Sequence, residues 1–172
     1  GARPQRRARH TDEVERQGFE TMILLNSHGG NYSLGPVVRD INRRDRSLKI
    51  LLVDWFAFAD RSFLDAAKMG RGDLHAGEFE TSLIMVLRPE LVRPDGPDMV
   101  PAVQGFVQPD LNTFGVGYVA PEGAYGLPSL ASREKGERLV ASIKTNMLRH
   151  VRERLAWLAQ RRGYTGKGRN NA

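Results

Sequence analysis

The sequence contains no cysteine, which excludes disulfides, thiolate zinc sites and a cysteine nucleophile. It has no run approaching about 18 consecutive apolar residues, so it offers no membrane-spanning helix. Its Arg-rich start also lacks the apolar stretch of a secretory signal. These absences together predict a cytoplasmic protein with no membrane partner. Missing too are G-x-G-x-x-G, a Walker A loop, an H-E-x-x-H helix and a G-x-S-x-G elbow, which argues against dinucleotide, nucleotide, zincin and serine-hydrolase chemistry.

What is present is ordinary for a globular chain: 172 residues, 40% hydrophobic and 27% charged. That length predicts a single domain, residues 1–172, able to bury about 70% of the surface its unfolded form exposes. The net charge of +6 resides in the ends. Arg3, Arg6, Arg7 and Arg9 at the front, with Arg161, Arg162, Lys167 and Arg169 at the back, carry eight positive charges and no acid, leaving the body at −2. Residues 1–10 and 163–172 therefore read as flexible basic tails. With no aromatic-rich basic stripe beside the charge, nucleic acid is not an expected partner.

Along the chain, Thr11 to Gly18 predicts a short helix with Asp12 and Glu13 in its first turn. Met22 to Leu25 is apolar at every position and stops sharply at Asn26, the pattern of a buried parallel strand. A polar, Gly-rich loop (Ser27 to Asn31) precedes a helix carrying Val37, Val38 and Ile41. Leu48 to Val53 then predicts a second strand ending at Asp54. Strand, helix and strand within about 35 residues fit a crossover unit. A short helix over 60–69 is expected to break at Gly70 and Gly72, and another is expected to run from His75 to about Leu87, stopped by Pro89. The Pro- and Gly-rich stretch that follows predicts short strands near 102–107 and 115–119. Val140, Ile143, Met147, Val151, Leu155 and Leu158 form one face of a long terminal helix.

Chemistry concentrates in two places. The 27–31 loop sits where ligands bind in parallel sheets, beyond the carboxyl end of a strand. Gly29 and Gly30 allow close backbone approach, and His28 offers a ring nitrogen for metal, proton or hydrogen-bond work; a tight turn bearing a surface histidine accounts for the same residues. The second place is His75-Ala-Gly-Glu78-Phe-Glu80-Thr-Ser82. On a helical wheel begun at His75, Glu80 falls inside the apolar arc of Phe79, Leu83, Ile84, Val86 and Leu87, while Glu78 falls on the opposite, solvated face. An inward carboxylate costs several kcal/mol unless it is paired or metal-bound. Glu80 is thus expected to find an internal Arg or Lys, or a metal.

Leu24-Leu25-Asn26-Ser27-His28-Gly29-Gly30-Asn31 resembles the VNGHGGN motif of the creatininase family, and HAGEFETS, residues 75–82, looks like its second signature. A closing Ala131 to Glu137 stretch before the long helix strengthens the match, which covers roughly residues 12–160. The resemblance implies a three-layer α/β fold with a mostly parallel sheet flanked by helices, and metal-dependent hydrolysis of a C–N amide bond by a metal-activated water. It also implies a homo-oligomer, hexameric in the family. By the same resemblance His28 is a metal ligand, Glu80 a metal-site or catalytic carboxylate, His75 a catalytic proton-transfer residue, and Gly29, Gly30 and Asn31 contacts for a small-molecule amide substrate. The implied cofactor is a divalent metal, zinc first, with manganese or iron as alternatives.

Two departures shape the expectation. Creatinine-hydrolysing members carry a metal-binding glutamate two residues after the first-motif histidine, where this chain has Gly30. The family's upstream Glu-x-His-Gly-x-His segment also has no counterpart before Thr21. The chain therefore reads either as an N-terminally incomplete amidohydrolase or as a catalytically impaired member acting as an oligomerising or binding module.

Overall fold

The computed structural model describes residues 11–68, 73–93, 95–99 and 105–162. The expected tails and the helix-breaking Gly70 and Gly72 lie outside these residues. The chain divides into two compact units: one comprises the residues up to Trp55 together with those from Asn146 onward, the other Phe56 to Thr145.

In the first unit, residues 11–16 form helix α1, followed by a turn at Gly18, whose φ of +86° suits a residue without a Cβ. Strand β1 (Thr21–Asn26), helix α2 (Leu34–Arg43) and strand β2 (Lys49–Asp54) then follow as expected. The strands pair in parallel from Thr21 opposite Lys49 to Asn26 opposite Asp54. Side chains alternate across a strand. Met22, Leu24, Ile50 and Leu52 therefore share one face, which packs with Val37, Val38 and Ile41 of α2. On the other face Val53 is buried, whereas Ile23 and Leu25 are exposed. Asn42 fastens α2 to β2 because its carboxamide both donates to Ile50 O and accepts from Ile50 N, each at 2.8 Å.

Glu15 ties α1 to the segment entering β2. Its carboxylate accepts from Leu48 N at 3.0 Å, Ser47 Oγ at 2.9 Å and the Arg46 guanidinium, whose Nε lies 2.9 Å away. The backbone N–H of Leu48, followed by the Arg46 and Ser47 hydrogen bonds, holds its pKa at about 2 against an ordinary 4.5.

The second unit is helical with short bridges. It holds α3 (Asp65–Lys68), α4 (Glu78–Leu87), α5 (Gln108–Phe114), α6 (Val116–Val119) and the start of α7 (Arg133–Arg162), whose residues from Asn146 belong to the first unit. Leu111, Val119, Ala120 and the fully buried Tyr125 form its apolar cluster. Ser132 caps α7 by accepting from Lys135 N at 3.2 Å. Gly136 lies so close to α4 that a Cβ there would overlap the Ser82 carbonyl, and only glycine permits that crossing.

Three expectations are corrected. The predicted strand at 115–119 is helix α6, entered through Gly115 at φ +85°. Of 102–107, the described residues 105–107 have no regular structure. The helix expected from His75 begins three residues later, because His75 pairs with Tyr125 as a β-bridge and Ala76 takes φ +56°, a value outside the right-handed helix. Helices and a parallel sheet nonetheless make the fold α/β as expected. No helix among the described residues is long and apolar enough to cross a membrane.

A carboxyl whose pKa is lower folded than unfolded adds stability that is present above its unfolded pKa and lost as pH falls through the folded value. For Glu15 that window runs from pH 4.5 down to about 2. In Glu15→Gln, the urea midpoint is expected to fall less steeply with acid across this window than in the parent. Equal steepness in the two proteins would contradict the assignment.

Candidate functional site

The first motif is organised by Asn26, the buried last residue of β1. Its amide donates to Asp54 Oδ1 at the end of β2. Its carbonyl oxygen accepts from Asn31 Nδ2 at 3.0 Å and from His28 N at 3.3 Å. The two strand ends and the loop thus share one polar knot. Within it, residues Gly29–Asn31 make a short 3-10 turn whose preceding residue, His28, accepts the Gly30 N–H on Nδ1 at 3.0 Å. Gly29, Gly30 and Asn31 therefore stand in the loop where the sequence places them, with the Asn31 carboxamide committed to Asn26.

The second motif is built on the head of α4. Glu80, third residue of the helix and 47% exposed, reaches back to accept from Ala76 N, and its Oε2 lies 3.5 Å from His75 Nδ1. That backbone bond helps hold Ala76 in its left-handed conformation. Asp73 supplies a second brace, accepting from Phe79 N at 2.8 Å. Burial raises the Asp73 pKa, and the Glu78 and Glu80 charges add to the rise against the opposing Phe79 bond and Arg61. The Arg61 guanidinium lies over the Phe79 ring, 3.8 Å from its centroid. Burial lowers its pKa while Asp73 and Glu80 oppose that shift.

The inward carboxylate is Glu78, not Glu80. Glu78 is fully buried and accepts from Asp65 N at 3.0 Å, Ala66 N at 2.7 Å and Lys135 Nζ at 2.5 Å. The buried stripe of α4 is Glu78, Phe79, Ser82 and Leu83, whereas Ile84 and Leu87 are exposed. Counting those two as core rotated the predicted arc by about a quarter turn. The internal Lys pair expected of Glu80 exists, two residues earlier.

Sequence reasoning also passed over Asn26, Asp54 and Asp73. The first two carried a usable signal, being polar residues that end apolar runs; Asp73, four residues before the N-cap Gly77, is brought to Phe79 N only by the turn between them.

His28, Gly29, Gly30 and Asn31 belong to the first unit, and His75 and Glu80 to the second. Within the second unit the structure brings His75 and Glu80 together. Among the described residues no group of three or more His, Cys, Asp or Glu side chains is able to hold a metal ion. A catalytic zinc site needs three protein ligands. The described residues alone therefore do not fit a zinc, manganese or iron centre.

Comparison with known proteins decides what these two arrangements belong to. The family model Creatininase, described as creatinine amidohydrolase, matches residues 8–151. The chain belongs to the creatininase family. It is similar to the mycofactocin precursor peptide peptidase of Mycobacterium ulcerans (strain Agy99), with 29% identity over 128 residues, covering 72% of this chain and 45% of that protein. Among solved structures it resembles a creatininase variant complexed with creatine, at TM-score 0.60 and 25% identity over 83% of this chain and 60% of that one. It also resembles a Zn-Zn type creatininase variant, at TM-score 0.61 and 25% identity over 83% of this chain and 59% of that one. A manganese creatininase shares the fold, at TM-score 0.57 and 24% identity over 83% and 59% of the two chains. The chain thus spans less than two thirds of each of these creatininase-family relatives. Zinc and manganese forms among them place a divalent metal in the family.

Asn26→Ala removes the acceptor shared by His28 N and Asn31 and leaves part-buried groups unpaired. We expect a loss of about 0.5–1.5 kcal/mol in urea unfolding, with faster amide exchange at His28. Parent-like stability and exchange would mean that the knot does not hold the loop.

Proposed function

We propose that this creatininase-family chain carries part of the site of an amidohydrolase that cleaves a C–N amide bond in a small, peptide-like substrate. The observation carrying the proposal is the His75–Glu80 pair at the head of α4, in a chain whose two signature motifs both survive. A carboxylate accepts only, so the contact is attractive when His75 Nδ1 bears the proton. The Nε2 lone pair is then free for proton transfer. His75 takes a proton from the attacking water as its oxygen bonds the carbonyl carbon, then returns it to the nitrogen as the C–N bond breaks. Glu80 fixes the ring and its tautomer. For the first unit taken by itself, Gly29, Gly30 and Asn31 are proposed as substrate contacts, since glycine admits close backbone approach.

A peptide-like amide is favoured over a cyclic one or a formamide by the peptidase name of the curated relative. Gly30, standing where creatinine-hydrolysing relatives carry glutamate, argues against creatinine. A divalent metal, zinc first, would supply Lewis acidity if one were bound. A ligand role for His28 or Glu80 would need further donors that the described residues do not provide. A homo-oligomer and a cytoplasmic location complete the proposal; the exposed Ile84, Leu87 and Leu91 support association.

The test is hydrolysis of a panel of short peptide amides by the parent, His75→Ala and Glu80→Gln. Loss of general acid–base catalysis predicts a kcat/KM lower by about 10²–10⁴ in His75→Ala, and a smaller loss in Glu80→Gln. Activity in His75→Ala equal to the parent's would remove the proposal. A parent inactive on every amide, with zinc supplied, would favour the binding-module reading.

A further inference from the structure

The two motif histidines stand in opposite hydrogen-bonding environments. His28 Nδ1 receives the Gly30 N–H at 3.0 Å. A backbone amide can only donate, so that nitrogen must carry a lone pair rather than a proton. A neutral imidazole has one proton, which then sits on Nε2. Turning the ring over would set a C–H against the same amide and lose the bond.

The backbone that carries the ring is also fixed. The His28 N–H is tied to Asn26 Oδ1 at 3.3 Å, and the His28 carbonyl accepts from Asn31 N at 3.1 Å. The imidazole lies so near Gly30 that a Cβ there would meet Nδ1 at 2.9 Å and Cε1 at 3.0 Å. Glycine at position 30 is therefore what lets the ring seat itself as the cap of its own turn. One ring nitrogen of His28 is spent on that turn and the other is blocked by a proton. His75 is the reverse, because its Nδ1 faces the acceptor-only carboxylate of Glu80 at 3.5 Å and its Nε2 keeps the lone pair.

We infer that His28 in this chain is a loop-locking residue held in the Nε2–H tautomer and presents no lone pair to a metal ion, whereas His75 is the motif imidazole with an available ring nitrogen. Metal uptake at His28 then requires breaking the Gly30 bond and moving a ring proton, so its affinity for zinc is low unless another group drives that change. The inference deepens the amidohydrolase reading, on which it rests for the roles of the two motifs, but its test does not use activity.

The experiment is long-range proton–nitrogen NMR of the imidazoles in the full 172-residue chain, near pH 8, above the ordinary histidine pKa of about 6.5. His28→Gln and His75→Gln give the assignments. His28 is expected to show a protonated Nε2 and a bare Nδ1, with at least about a ten-fold preference, and His75 the opposite pattern. One equivalent of zinc chloride leaves the His28 signals in place. Gly30→Ala, whose Cβ presses the ring out of the cap, abolishes the single-tautomer pattern at His28 and leaves His75 unchanged.

A protonated Nδ1 on His28, a His28 shift saturating at one zinc per chain, or a Gly30→Ala spectrum identical to the parent's overturns the inference. The expected tautomers in a chain inactive on all amides would sink the amidohydrolase reading and uphold this one. An active chain whose His28 takes up zinc would do the reverse.

Discussion

A carboxylate with no exposed surface, Glu78, sits at the start of α4 and needs partners for every lone pair it takes out of water. It finds them in the Asp65 and Ala66 N–H groups, which are unsatisfied donors at the start of α3, and in the Lys135 ammonium. Lys135 in turn bonds Asp65 at 2.8 Å and the Leu130 carbonyl at 2.5 Å. Burial works against the Lys135 charge, but the hydrogen bonds to Asp65 and Glu78 outweigh it and raise its pKa. One buried ion pair thus joins α3, α4 and the first turns of α7. A four-residue helix such as α3 has little stability of its own, and this pair gives it a cap and an anchor. The close crossing at Gly136 and the bond from Ser132 N to Ser82 Oγ at 3.2 Å follow from the same placement of α7 on α4.

That constraint fixes which acid is free. With Glu78 turned inward, α4 presents Glu80 to solvent at its head, beside His75 and the left-handed Ala76. Asp73, pressed against Gly77 and Gly126, braces the same turn through Phe79 N. The HAGEFETS signature therefore combines two jobs. Its first glutamate belongs to the framework, and its second is the exposed carboxylate proposed to act with His75. The 28–31 loop has its own framework in Asn26 and Asp54, which join the ends of both strands to the turn. In each unit a buried polar residue sets the backbone and an adjacent, more exposed one faces outward.

The strand–helix–strand start was legible because β1 and β2 are apolar at nearly every position and stop at a polar residue. The pattern marks the parallel strands, although the burial it predicts for β1 is not met at Ile23 and Leu25, which are exposed. The long helix α7 was legible from its spacing, although its most buried apolar residue, Leu139, was left out of the stripe. Glu78 and Glu80 were exchanged because a helical wheel assumes that apolar residues face inward, and Ile84 and Leu87 do not. The wheel was also begun at His75, which bridges to Tyr125 instead of turning into helix. The 115–119 segment looked extended because of its valines, but a turn at Gly115 and the apolar cluster around Leu111 and Tyr125 override that local preference. Lys135 stood in the closing stretch of the family pattern; only the tertiary contact reveals it as the partner of an acid 57 residues away.

The most direct test of this division between framework and site is a double-mutant cycle by urea unfolding, pairing Glu78→Gln with Lys135→Met, with Glu80→Gln measured beside it. The account predicts a coupling of about 2–3 kcal/mol between Glu78 and Lys135. Lys135→Met should cost about 3–5 kcal/mol because the buried Glu78 charge is left without its countercharge, and Glu78→Gln should cost less, because Lys135 keeps Asp65 as a partner. Glu80→Gln should cost no more than about 1.5 kcal/mol, the value of one exposed hydrogen bond. A coupling near zero, or a Glu80 variant as destabilised as the Glu78 one, would contradict it.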